Sequence, residues 1–350
     1  MTPNPKTIRY WTTYSITDSG WWTDLFRLPP DRFRLVFDER SPDYLFVTEN
    51  IYHSPEAYLD FLEQNHPERV TVFYALEAVY PDMNLFDYAV VHDPSYSLGD
   101  RVAKLPLLSF YHRSLFPGFG RPPEDPHYEL MSKTGFCSFL YSNPAAHPRR
   151  DAIFRALSSY KPVASLGKHL NNQGNPDSRA TADWRELSIE IKKPFKFSIA
   201  AENARHPGYI TEKILTSFQA RSVPIYWGDP ACETVLNPGA FVNANDLSDE
   251  KLVETIRNID TNDDLWMKMV SSPPLTPAQQ EAQRIGELHF QSFSENIFEQ
   301  SLAEAKRIPA GTWADFYSAS FLQRKSFAKR AVWIRTMRHQ ARKVLKAFSI

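Results

Sequence analysis

The chain has 350 residues, room for two domains of ordinary size, since a single core rarely grows past roughly 250–300 residues. Its 42% hydrophobic and 23% charged residues, with a formal net charge of −1, are those of a soluble globular protein and give no reason to expect nucleic acid as a partner. The two cysteines, Cys137 and Cys232, sit in or beside apolar runs with no C-x-x-C or Cys/His cluster, which argues against a disulfide framework and a zinc site.

The first stretch, MTPNPKTIRYWTTYSITDSG, lacks a basic segment followed by an apolar run, so no signal peptide is expected. No segment reaches the roughly 18–20 continuous apolar residues of a membrane span, and the expected location is cytoplasmic. Short apolar runs then predict strands near Thr7–Tyr10, Phe33–Phe37, Tyr44–Val47, Val70–Tyr74 and Tyr88–His92, with a helix over Pro55–Gln64. Glu77 follows the Val70–Tyr74 run, at the carboxyl end where ligands approach an α/β sheet. A carboxylate there fits a general base or a solvated loop acid equally well. His92 and Asp93 also follow a strand and fit a turn cap. From Pro106 to Glu129 the chain is Pro-rich, as in an exposed connection.

A second series predicts strands over Gly135–Ser142, Pro162–Gly167, Phe195–Glu202, Val223–Gly228 and Ala240–Asp246. Helices are expected over Arg149–Tyr160, Thr211–Arg221 and Asp249–Ile259. Alternating strands and helices predict α/β units with parallel sheets. The expectation is two Rossmann-like domains facing each other across a cleft, residues 1–131 and 132–305, followed by a tail over 306–350. Ser142, Gly167, Glu202 and Gly228 then belong to one rim.

Within the stretch AENARHPGYITEK, Thr211 is a candidate N-cap with Glu212 and Lys213 in the first helical turn. Free N–H groups and the positive end of the helix dipole make this an anion site. Lys213 is unfavourable there for an isolated helix and favourable beside a phosphate. A plain cap with Glu212 complementing the dipole explains the pattern as well. SNPAAHPRRDAIF makes a second strand-to-helix turn, bringing Arg150 to the same rim, and Arg suits bidentate phosphate recognition. Asn171 and Asn172 fit either a nucleotide contact or a turn.

The tail has no acid after Asp315 and carries Arg324, Lys325, Lys329, Arg330, Arg335, Arg338, Arg342, Lys343 and Lys346. Phe327, Ala331, Ile334, Met337, Ala341, Leu345 and Phe348 recur at helical spacing, predicting a basic amphipathic helix. Such a helix suits peripheral contact with anionic lipid, here on the cytoplasmic face of an inner membrane; a helix packed on its own domain is the alternative.

The stretches AENARHPGYITEK and VPIYWG resemble the signature of the α1,3/1,4-fucosyltransferase family, with FCSFLYSNP, RRDAIFRAL, HLNN and NPGAFVNANDL following in family order. EAVYPDMNLFDYAVVHD resembles the family's acceptor-side segment, and the likeness is to its bacterial branch. The resemblance implies the GT-B architecture and an inverting transfer of L-fucose from GDP-fucose. The acceptor would be the 3-hydroxyl of a GlcNAc or glucose residue in a glycan such as a lipopolysaccharide chain. Arg150 and Lys213 would neutralise the diphosphate, Asn203 would contact a phosphate oxygen, Glu212 would bind ribose and Tyr209 would line the nucleotide site. Glu77 would deprotonate the acceptor hydroxyl, with Tyr74 beside it. No metal ligand is implied, because cations and helix N-terminal amides take that role; a Mn or Mg ion would at most assist turnover or product release. Ala201, Ala204, Leu76 and Ala78 depart from the family pattern. A transferase using another GDP-sugar, or a glycan-binding protein on an inactivated scaffold, are the competing readings.

Overall fold

The computed structural model describes residues 4–105, 121–174, 184–308, 311, 316, 317, 320, 327–335, 337 and 338. The chain forms two compact units, residues 1–105 with 288–350, and residues 106–287.

In the first unit, β1 (Lys6–Thr12), β2 (Phe33–Phe37), β3 (Tyr44–Thr48), β4 (Val70–Tyr74), β5 (Tyr88–Val91) and β6 (Val102–Lys104) form a parallel sheet in the order β2-β1-β3-β4-β5-β6. Strands β3, β4 and β5 are buried along their whole length, as their unbroken apolar runs require in a sheet covered on both faces. Two helices lie among these strands, α1 (Ser19–Leu25) and α2 (Pro55–Gln64). Ser54 caps α2, and Pro55 opens it without losing a needed N–H. Helix α1 and strand β6 are absent from the sequence reading, being seven and three residues long with little periodicity.

Much of the aromatic content is core. Tyr10 stacks on Phe46 with centroids 4.8 Å apart, and Trp22 meets Tyr74 edge-on at 6.0 Å. Tyr74, expected near the substrate, is fully buried in this cluster and donates its hydroxyl to the Leu25 carbonyl at 3.3 Å. The structure corrects that expectation: the Tyr74 ring has no surface to offer a ligand.

The second unit holds β7 (Gly135–Phe139), β8 (Val163–Ser165), β9 (Phe195–Ala201), β10 (Val223–Trp227) and β11 (Val242–Asn243). All are parallel, in the order β11-β10-β9-β7-β8. Its helices include α3 (Pro126–Met131), α4 (Arg149–Ser158), α5 (Trp184–Lys192), α6 (Glu212–Gln219), α7 (Asp249–Asp260) and α8 (Asp263–Ser271). Phe139, Ile153, Phe197, Ile199, Trp227, Ile256 and Trp266 form its core. Helix α5 alternates Leu187, Ile189 and Ile191 with polar residues, a strand-like period that hides its helix in the sequence. Residues 106–120 of the Pro-rich stretch lie outside the described residues; α3 follows, capped by Asp125.

Helix α9 (Pro277–Glu299) begins in the second unit and ends in the first. There Lys6 donates to the carbonyls of Phe298, Glu299 and Gln300 at 2.7–3.1 Å, closing the helix end. The buried Asp87 accepts from the Lys306 ammonium (2.9 Å) and from the Arg307 and Ile308 amides (2.7 and 3.0 Å), fastening the returning chain beside β5. Residues 327–335 of the tail are helical. Phe327, Trp333, Ile334 and Met337 are exposed there, alongside the exposed Lys329, Arg330, Arg335 and Arg338. Tyr317 and Ala328 pack on the first unit's core, and Arg335 pairs with Glu56 at 3.1 Å. The other tail positions, among them Arg324, Lys325, Arg342, Lys343 and Lys346, lie outside the described residues. Among the described residues no helix is long and apolar enough to cross a membrane.

Candidate active site

The second sheet reverses direction between β7 and β9: the chain leaves β7 for β8 on one side and leaves β9 for β10 on the other. Such a switch point opens a crevice at the carboxyl ends of the two strands. The loops leaving β7 and β9 are tied together there, the His147 amide donating to the Asn203 carbonyl at 2.8 Å. Arg150 enters from the first turn of α4 and Lys213 from the first turn of α6. The rim expected from sequence thus converges on two helix N-termini.

Arg150 is 1% exposed, and its guanidinium stacks on the Tyr141 ring at 4.7 Å from the centroid. One Nη donates to the Asn143 carbonyl at 2.8 Å, while Nε lies 3.6 Å from Asp151 and has no hydrogen-bond partner among the described residues. A guanidinium carries five N–H donors, so capacity remains for an anion. Its neighbour Arg149 is committed to Asp249 and to the Leu247 carbonyl, and so braces α4 against α7.

Thr211 caps α6, and Glu202, wholly buried at the end of β9, accepts from the Thr211 amide (2.8 Å), the Thr211 hydroxyl (2.7 Å) and the Lys213 ammonium (2.9 Å). The ammonium also reaches Thr211 Oγ1 at 2.9 Å and lies 3.9 Å from Glu212. Burial works against the Lys213 charge, but Glu202 and Glu212 outweigh it and hold the ammonium above the usual lysine range. Burial pushes the Glu202 carboxyl up while Lys213 pulls it down. The cap and the Lys213 placement were legible in sequence; the carboxylate behind them was not, because β9 is otherwise apolar and Glu202 reads as a rim acid.

Three further supports were missed. Tyr141 accepts from the Ala201 amide at 2.7 Å and donates to the carbonyls beside it, locking β7 to β9 between Arg150 and Lys213. Gly167 lets that tyrosine's backbone approach, since a Cβ there would sit 2.0 Å from the Tyr141 carbonyl oxygen. Lys192 donates to the Lys213 carbonyl (3.2 Å) and Thr216 hydroxyl (2.6 Å), fixing the start of α6. A cavity of about 30 Å³, little more than a water, lies among Tyr141, Trp184, Lys192, Glu212 and Lys213.

Of the remaining expected residues, Asn203 and Glu212 are partly exposed at this rim. Tyr209 is 1% exposed, and its carbonyl accepts from the Tyr226 hydroxyl at 3.2 Å. Asn171 and Asn172 hold the turn after β8 by bonds to Gly167, Val163 and Ser165. Ala201 is core, paired across the ladder with Trp227, so a small side chain meets a large one.

Glu77 lies in the first unit, exposed in the bend after β4. Glu49, opening the turn after β3, accepts from the Leu76 amide at 3.0 Å and thereby fixes the residue before Glu77. Burial pushes the Glu49 carboxyl up, and the Glu77 charge adds to this against the pull of the Leu76 amide. Asp93 accepts from the Ser95 amide and hydroxyl, a turn cap as expected. Among the described residues no group of three His, Cys, Asp or Glu side chains could hold a metal.

Residues 130–271, within the second unit, match the family described as glycosyltransferase family 10 (fucosyltransferase), C-terminal part. The α-(1,3)-fucosyltransferase FucT of Helicobacter pylori is 29% identical over 234 residues, 58% of this chain and 47% of that protein. The GDP-fucose protein O-fucosyltransferase 3 of Xenopus tropicalis is 26% identical over 205 residues, 53% of this chain and 42% of that protein. The chain therefore spans less than half the length of each of these curated relatives. A crystal structure of an α1,3-fucosyltransferase with GDP-fucose superposes with a TM-score of 0.63 over 85% of this chain and 92% of that one, at 24% identity. The fold is GT-B, two Rossmann-like units in one chain. With that fold and this matched domain, the chain is similar to the fucosyltransferases of glycosyltransferase family 10 over residues 130–271.

Proposed function

We propose that the protein transfers L-fucose from GDP-fucose, with inversion, to the 3-hydroxyl of a GlcNAc or glucose residue in a glycan, as in a lipopolysaccharide chain. The observation that carries this reading is the convergence of Arg150 and Lys213 on two helix N-termini at the β7/β9 switch point. Both are cations held by the protein before any ligand arrives, which is what a leaving diphosphate needs. Glu77 takes the proton from the acceptor hydroxyl as its oxygen bonds to C1 of fucose. The C1–O bond to GDP breaks with its electrons passing to the diphosphate, where Arg150, Lys213 and the α6 amides receive them. Glu212 holds the ribose and Asn203 a phosphate oxygen. With cations and amides in that role, no resident metal is required, and added Mn or Mg acts at most on turnover or product release.

Incubation of labelled GDP-fucose with N-acetyllactosamine-type acceptors tests the reading: label should appear in the glycan, on O3. Preference for another GDP-sugar would move the donor assignment. GDP-fucose binding without transfer to any acceptor would make the protein a glycan-binding scaffold. Transfer to a polypeptide would align it with the O-fucosyltransferase relatives.

The tail supports a location at the cytoplasmic face of a membrane. Its described residues expose Phe327, Trp333, Ile334 and Met337 together with four cations, the composition that anionic lipid attracts. Removal of residues after Asp315 should lower binding to phosphatidylglycerol-containing vesicles at least about tenfold, each Lys or Arg contributing about 1 kcal/mol near such a surface. Equal vesicle binding by the shortened protein would refute the membrane role.

A further inference from the structure

Glu202 has no place in the displacement itself. A second carboxylate beside a leaving diphosphate opposes the charge that develops there, yet this one is wholly buried and built in. Its contacts lead to one element: the Thr211 amide, the Thr211 hydroxyl and the Lys213 ammonium, all at the start of α6. The neighbouring strand makes room for it, since a Cβ on Gly228 would lie 2.5 Å from Glu202 Cγ. Lys213, for its part, spends two of its three N–H donors on Glu202 and Thr211, which leaves a third for a ligand. A lysine stem is long and flexible, and a buried ammonium loses its proton readily unless paired. Glu202 answers the first problem and, with Glu212 3.9 Å from the same ammonium, most of the second.

We propose that Glu202 is a positioning residue: it holds the Lys213 ammonium charged and in one place, so that its remaining N–H meets a phosphate oxygen of the donor. The role rests on the reading of this rim as the site of a nucleoside diphosphate. Two opposite signs are available to experiment. If Glu202 acted only as a nearby negative charge, its neutralisation would strengthen diphosphate binding. If it positions Lys213 and keeps it protonated, neutralisation weakens binding, and increasingly so as pH rises.

The test is calorimetric titration of the full chain with GDP between pH 7.5 and 9.5. Glu202→Gln should bind GDP about tenfold more weakly at pH 7.5 and lose about another tenfold by pH 9.5, as Lys213 sheds its proton; the wild type should change less than about twofold. In a Lys213→Met background, Glu202→Gln should change affinity less than about twofold, because a residue acting through Lys213 has nothing left to act on. Glu202→Asp keeps the charge and shortens the reach; about threefold weaker binding with a flat pH profile is expected, and it carries the test if Glu202→Gln does not fold. Binding by Glu202→Gln as tight as wild type with a flat profile, additive losses in the double variant, or wild-type affinity in Glu202→Asp would each overturn the positioning role alone. Failure of the wild type to bind GDP would overturn the donor reading and this role together.

Discussion

Replacement of Lys213 by Met is expected to lower kcat/KM for GDP-fucose by about 10³-fold, the scale seen when one preorganised donor to a developing anion is removed. Four amides at the start of α6 lack intrahelical partners, and Thr211 satisfies one of them. An ammonium at that end is repelled by the same dipole that attracts a phosphate. The fold tolerates it because Glu202 lies 2.9 Å away and fully buried. Loss of Lys213 therefore has a second cost, since it leaves a buried carboxylate unpaired, which destabilises by about 3–5 kcal/mol when nothing relaxes. The two effects separate in the double variant. Glu202→Gln added to Lys213→Met should recover most of the lost thermal stability while recovering none of the turnover. Recovery of turnover along with stability would mean that Lys213 serves the fold and not the diphosphate.

That coupling of cation to carboxylate was only half legible in the sequence. Thr211 as a cap and Lys213 in the first turn follow from spacing alone, and the structure places both as expected. The strand order is not local information. Spacing predicts Arg150 and Lys213 at one rim; the sheet topology adds that β7 and β9 are neighbours, so that these residues, 63 positions apart in sequence, flank one crevice. Glu202 and Tyr141 escaped for a related reason: each ends an apolar run, and the partner that gives it a purpose sits on another element. Tyr74 failed in the opposite direction. The family resemblance implies Tyr74 beside Glu77, but alternate residues of a strand face opposite ways and a parallel sheet is covered on both sides. Its ring points into the aromatic core shared by Tyr10, Trp22 and Phe26. Strand centres were recovered because parallel strands must be apolar throughout. Strand ends were overrun by up to three residues where the apolar run continues into rim residues such as Leu140 and Tyr141.

Glu77→Gln is expected to reduce transfer by about 10³-fold, within the range that a positioned general base contributes, while leaving GDP affinity within about twofold of wild type. The amide keeps the size of the carboxylate and cannot accept the acceptor's proton. Donor affinity should survive because the groups proposed to hold GDP belong to the other unit of the chain. Single-turnover transfer of labelled fucose, read beside GDP calorimetry on the same sample, gives both numbers. Glu49 supplies the internal control. Its carboxylate grips the Leu76 amide at 3.0 Å and so fixes the bend that carries Glu77. Glu49→Gln can still accept from that amide through its carbonyl oxygen and should lose about tenfold at most, a positioning effect. Reversal of that order, with Glu49→Gln inactive and Glu77→Gln near wild type, would transfer the base to Glu49, whose carboxyl burial already pushes up. Equal and mild effects from both would remove the catalytic base from this bend altogether, and with it the main reason to read the first unit as the acceptor side.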